Sequence, residues 1–272
     1  MNGVSMLSSP TGRGAPMSLI YRHAGWRVAI LGTALVGLAW IPAWLAVTRG
    51  AAVRAELAVA ATPAEPPPTF AALVRHPIVV RALAGVAAAA PVFSFPQVWG
   101  AKYLARTFAV AQADVGHYLW LPPLVLDAVA IAFGDLAARQ RRAAGAPPRL
   151  LLAIAAALAA GIAAVPAATS PWTAVVLLAA ASAGAGAMYA LITGDMLARL
   201  PAGGLSLASG ILAGAQSLAL IATSPLVGRA VDRLGDYTAV SVALGGWVVP
   251  GAALWLAWRP PAWAAATSGS RR

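Results

Sequence analysis

The chain has no cysteine, one lysine, three histidines and eight acidic residues among 272. Each shortage excludes a class of chemistry. Without cysteine there are no disulfides, thiolate nucleophiles or Cys-based metal sites. His23, His76 and His117 stand far apart, so the sequence predicts no His-rich metal cluster and no resident cofactor. Charged residues of all kinds make up 10% of the chain and hydrophobic ones 60%, against about 25% and 45–50% in soluble domains. A water-soluble fold would have nowhere to hide that much apolar surface.

What is present is long apolar runs. A bilayer core of about 30 Å needs about 20 helical residues to cross it, at ~1.5 Å of rise per residue. Seven stretches qualify: 26–48, 82–104, 118–138, 150–168, 172–194, 205–227 and 238–258. Backbone groups in lipid have no water to bond, so these spans are expected as helices. The expected fold class is all-α: a polytopic membrane protein that partners the lipid bilayer.

The net charge is +11, carried by 18 arginines and Lys102. A basic balance can signal nucleic acid, but here the cations sit at span ends and connections, as in membrane topogenesis; no nucleic-acid partner is expected. With the N-terminus outside and the C-terminus in the cytoplasm, twelve cations fall inside: Arg49, Arg54, Arg75, Arg81, Arg139, Arg141, Arg142, Arg149, Arg199, Arg259, Arg271 and Arg272. Seven fall outside, and the positive-inside rule supports this orientation. Trp26, Trp120 and Trp172 then mark outer span ends, and Trp44, Trp255 and Trp258 inner ones, as interfacial anchors. The heavy use of Ala and Arg fits a GC-rich bacterial genome, and so an inner (plasma) membrane.

Residues 1–25 read as neither a span nor a signal peptide, since Ser8, Ser9, Pro10, Gly12 and Gly14 interrupt any apolar run; they look like the remnant of a preceding helix and outer loop. Segment 49–81 holds Pro63, Pro66, Pro67 and Pro68, which forbid a continuous helix, and reads as a cytoplasmic linker. Residues 82–258 form a six-span block, and 259–272 a cytoplasmic tail.

Gly134-Asp135 with Arg139, Arg141 and Arg142 closes the third span. Gly228-Arg229-Ala230-Val231-Asp232-Arg233-Leu234-Gly235 closes the sixth. Spacing alone permits ordinary charged helix ends, or a latch in which an acid pairs with arginine as two states interconvert. In their order along the chain these runs resemble the major facilitator superfamily of secondary transporters: 134–142 its loop between helices eight and nine, 228–237 the run before helix twelve. Gly25-Trp26-Arg27 with Trp40-Ile41-Pro42-Ala43-Trp44, then Trp99 to Lys102-Tyr103-Leu104, then Ala208-Ser209-Gly210-Ile211, is similar to helices six, seven and eleven of its anion:cation symporter branch. The chain departs from the branch at Ala101, Ala198 and Ala213. The resemblance covers residues 15–258. It implies the C-terminal half of a two-lobed carrier plus one helix, with two inverted triplets, 82–168 and 172–258. The implied activity is alternating-access transport of a small organic anion, coupled to protons or another cation. It implies no enzymatic reaction, and a separate N-terminal half as partner; the alternative is a transport-inactive half that serves only in assembly.

Asp127 lies at mid-span, where a carboxylate costs about 2.5–3.5 kcal/mol, so it is expected to face protein or a water-filled cavity. It reads either as a proton relay or cation partner, or as a carboxyl bonded to a neighbouring helix. Gln97, Trp99, Tyr103, Tyr189, Thr193 and Gln216 are the candidate substrate contacts, on the helices with which the family lines its cavity; interhelical bonding or interface anchoring is the alternative for each. The gating candidates are Gly134, Asp135, Arg139, Gly228, Asp232 and Arg233. Gly210/Gly214 and Ser182/Gly186 read as small-residue faces for close helix packing.

Overall fold

A computed structural model describes residues 16–51, 53–55, 67–144 and 147–261. The described elements are all helical. In chain order they are α1 (Pro16–Thr48), α2 (Phe70–Arg75), α3 (Pro77–Val98), α4 (Gly100–Phe108), α5 (Val115–Leu119), α6 (Leu121–Ala144), α7 (Arg149–Ala160) with a 3-10 extension (Gly161–Ala167), α8 (Pro171–Leu197), α9 (Leu205–Leu234) and α10 (Thr238–Ala257). Seven segments are long and apolar enough to cross a membrane, so the chain is an all-α polytopic protein. Arg271 and Arg272, like Arg13 and the prolines at 63 and 66, lie outside the described residues.

The boundaries move where side chains find partners. The sequence starts the second span at 82, but α3 begins at Pro77, because Arg81 is paired within the bundle. Pro77 occupies the first turn, where its missing N–H costs nothing, and the His76 side chain accepts from the Ile78 N–H at 3.3 Å. The same stretch breaks at Trp99, and α4 carries it on to Phe108. The 49–81 linker is docked at its far end: α2 is capped by Thr69, and Leu73 is fully buried. Helix α1 starts ten residues ahead of the expected span, at Pro16, and none of the described side chains of its crossing segment Ile30–Thr48 is buried.

Helices α3 and α8 form the centre, most of each crossing segment being buried. Helices α6 and α7 pack on α8, and α9 and α10 pack on α3; α3 meets α8, and α7 with its 3-10 extension meets α10. Exchanging the triplet α3–α6–α7 with α8–α9–α10 maps this set of principal contacts onto itself. Equivalent helices are three crossings apart and therefore run in opposite directions. Glycines set the closest approaches at one equivalent pair: a Cβ at Gly184 of α8 would stand 2.6 Å from the Ala155 carbonyl oxygen of α7, and one at Gly251 of α10 2.9 Å from that of Ala84 in α3.

Small faces do not all pack. A Cβ on Gly186 would meet Leu126 of α6 at 2.9 Å, as expected of the Ser182/Gly186 face. A Cβ at Gly210 or Gly214, predicted as a packing face, would meet nothing within 4 Å among the described residues. Helices α6 and α9 keep broad apolar faces exposed, including Leu124, Ile131, Leu218 and Ile221.

Candidate functional site

Successive helices alternate in direction, so functional side chains collect at two ends. The first end gathers the start of α3 with the ends of α6, α8 and α10. Arg81, 2% exposed, donates to one carboxylate oxygen of Asp195 on α8 and, at 3.0 Å, to the Trp258 carbonyl. Its guanidinium lies 4.4 Å from the centre of the Trp255 ring, a desolvated cation–π contact. The other Asp195 oxygen accepts from Arg199 at 3.0 and 3.2 Å. Arg141 of α6 donates at 2.8 Å to the Gly194 carbonyl, answering the negative end of α8. One buried carboxylate thus ties α3 to α8, Arg81 extends the link to the end of α10, and α6 joins one residue away.

Sequence reasoning counted Arg81 and Arg199 as surface cations and gave Asp195 no role in the site. The available signal was one acid closing an otherwise uncharged span; an unpaired charge so placed is costly, so a partner was owed. Trp255 was expected as an interfacial anchor and is instead core, 1% exposed, because it roofs Arg81.

The second end carries an open cavity of about 480 Å³ lined by Trp99, Lys102, Arg106, Gly228, Asp232 and Tyr237, among others. Trp99 stands against α9 because residue 228 is glycine: a Cβ there would lie 3.1 Å from its ring. Lys102 Nζ is 4.8 Å from the centre of that ring. Tyr103 lies beneath, buried, edge-on to Tyr237 at 5.2 Å, its hydroxyl donating to the Val165 carbonyl at 3.3 Å. Burial raises the Tyr237 pKa above the ordinary phenol value, with Arg106 opposing the rise and Asp232 adding to it. Two cations beside one carboxylate and an aromatic face suit an anionic or zwitterionic solute. Three predicted residues, Trp99, Gly228 and Asp232, therefore meet in one place, although the first was expected to touch substrate and the others to gate. Tyr103 is committed to packing.

The remaining candidates are dispersed. Asp127 is exposed on α6, whereas the sequence placed it against protein or water. Leu126 is the residue seated on Gly186 of α8, and the next position turns about 100° away. Gln97 is exposed and donates along its own helix to the Phe93 carbonyl at 3.4 Å. Tyr189, Thr193 and Gln216 are half-buried, and the enclosed Thr193 hydroxyl has no hydrogen-bond partner among the described residues. Asp135 pairs at 2.7 Å with Arg139 one turn along the same exposed helix. Gly134 is open above its α-carbon, and Arg233 is exposed. The two Gly–Asp–Arg clusters lie at opposite ends of the bundle. Neither a family model, nor a curated protein, nor a solved structure matches this chain.

Proposed function

We propose that this chain is a secondary-transporter polypeptide that moves a small organic anion by alternating access, coupled to protons or another cation, together with a second helical bundle from a separate polypeptide. The observation that carries the reading is the exchange symmetry of the helix contacts. Inverted triplets of this kind underlie carriers that rock around a midplane site, and the ordered motifs of the sequence resemble the C-terminal half of the major facilitator superfamily. The uncovered faces of α6 and α9 bear Asp127, Gln216 and the open Gly210/Gly214 pair. A carboxylate at that depth is costly in lipid, which supports a partner bundle whose docking turns this face into the wall of a cavity. In this reading the Asp195 cluster and the Trp99–Asp232 cavity belong to the two gates. The membrane is a bacterial inner membrane and the C-terminus is cytoplasmic, in keeping with the arginine distribution.

Uptake into proteoliposomes tests the proposal. The chain alone should not accumulate labelled organic acids under a proton gradient; with a co-expressed N-terminal half it should, and Asp127→Asn should abolish the gradient-dependent part. Wild-type uptake and an unchanged pH profile in Asp127→Asn remove the coupling role. Stable association with the second half but no uptake of any tested acid favours the other reading that the exposed α6 and α9 faces support, an assembly subunit without transport activity.

A further inference from the structure

The first end of the bundle holds a cavity that the transport reading leaves unassigned, although two of its arginines also pair with Asp195. Beside the Asp195 cluster lies a cavity of about 330 Å³ lined by Arg81, Arg149, Arg199, Arg259 and Pro147. Among the described residues, every ionisable side chain in that wall is a guanidinium. Asp195, the carboxylate that reaches two of these arginines, already accepts from Arg81 and Arg199. Arg149 and Arg259 have no ion-pair partner among the described residues. Four cations converging within about a Debye length, with one shared counter-charge, repel one another unless an anion joins them.

The cavity is also preorganised for one kind of anion. Arg81 is fixed by the Asp195 carboxylate, the Trp258 carbonyl and the Trp255 ring, yet its enclosed Nε–H has no acceptor among the described residues. Arg199 is fixed from the same carboxylate and stays partly open. Arg149 and Pro147 place the start of the twelve-residue helix α7 in the wall, adding the positive end of its dipole. Forked N–H donors on several sides match tetrahedral phosphate oxygens better than a single planar carboxylate. The volume is roughly ten times a water's share of ~30 Å³, enough for a phosphate and the groups it is esterified to.

We infer that this cavity is a phosphate-binding site, held by Arg81 and Arg149 of α3 and α7 and by Arg199 and Arg259 in the residues following α8 and α10. Because it opens at helix ends, where the polar boundary of a bilayer lies, the phosphate is either that of an anionic lipid headgroup or a soluble one arriving from the adjoining aqueous side. Occupation offsets part of the cluster's positive charge and links four helices at this end.

The test uses the full chain, purified and delipidated in detergent, with its melting temperature followed against added inorganic phosphate, phosphatidylglycerol and phosphatidylcholine. The comparison variant is Arg149→Gln/Arg259→Gln, which leaves the Arg81–Asp195–Arg199 cluster in place. We expect phosphatidylglycerol or inorganic phosphate to raise the melting temperature of the wild type saturably, and the double variant to bind about tenfold more weakly for each arginine removed. A shift with inorganic phosphate identifies a soluble ligand; a shift confined to phosphatidylglycerol identifies a lipid headgroup. Arg149→Lys keeps the charge without the fork and should bind more weakly than wild type. The inference is overturned if no phosphate species stabilises the wild type, if the double variant responds equally, or if phosphatidylcholine matches phosphatidylglycerol in both proteins. Failure here leaves the uptake assay unaffected.

Discussion

Asp195 at the end of α8 accepts from Arg81 of α3 through one oxygen and from Arg199, just past the end of α8, through the other. Arg81 and Asp195 are both buried. Removing Asp195 strands the buried Arg81, removing Arg81 leaves the carboxylate with the partly exposed Arg199, and removing both leaves no buried charge unpaired. Asp195→Ala should therefore destabilise the bundle by about 3–5 kcal/mol and Arg81→Ala by less, while Arg81→Leu/Asp195→Leu should come within about 1–2 kcal/mol of the wild type. Thermal unfolding in detergent, arranged as a double-mutant cycle, measures the difference. Additive losses would mean that the two side chains do not depend on each other, and would remove the lock at this end.

The glycines separate packed from unpacked faces. At Gly251 the new side chain would meet the Ala84 carbonyl, part of a helix that cannot yield locally; at Gly210 it would meet nothing. Gly251→Val should cost about 1–3 kcal/mol or more through overpacking of α10 on α3. Gly210→Val should stay within about ±0.5 kcal/mol, the range of surface substitutions. Melting curves of the two variants decide this directly. A large loss for Gly210→Val would place another polypeptide, or another copy of this one, against α9 in the purified protein.

The same contrast shows what the sequence could and could not reveal. Span number, helical class and the alternation of ends followed from run length and backbone hydrogen bonding, which are local properties. Which face of each span is inward did not. The middles of α8, α9 and α10 are uncharged on every face, so neither the burial of Gly184 and Gly251 nor the openness of Gly210 and Gly214 could be told from small-residue spacing, which all share. Pairing was equally invisible. Arg81 and Asp195 are 114 positions apart, and each alone reads as a cation or an acid at a span end. Asp127 shows the reverse case: its mid-span position was clear from the sequence, but its outward direction depended on Leu126 having claimed the contact with Gly186. Trp99 and Asp232 carried separate sequence roles and meet because a glycine at 228 lets α9 close on the end of α3.

The corner between α2 and α3 should respond to mild acid. Burial lowers the pKa of His76 below its ordinary value, and its Nδ1 accepts from the Ile78 N–H that opens α3. The folded state therefore favours neutral imidazole. Above about pH 6.5 the unfolded chain is neutral as well, and the full contribution is present. As pH falls below that value the unfolded state takes up a proton that the folded state resists, so stability is lost progressively until pH passes the lowered folded value. Protonation also removes the acceptor, at a cost of about 1 kcal/mol for a helix cap. The melting temperature should accordingly fall between pH 7 and 5. His76→Asn, whose side-chain oxygen can cap α3 without titrating, should flatten that slope while keeping the stability measured at pH 7. A slope that persists unchanged in His76→Asn would assign the acid sensitivity to another group.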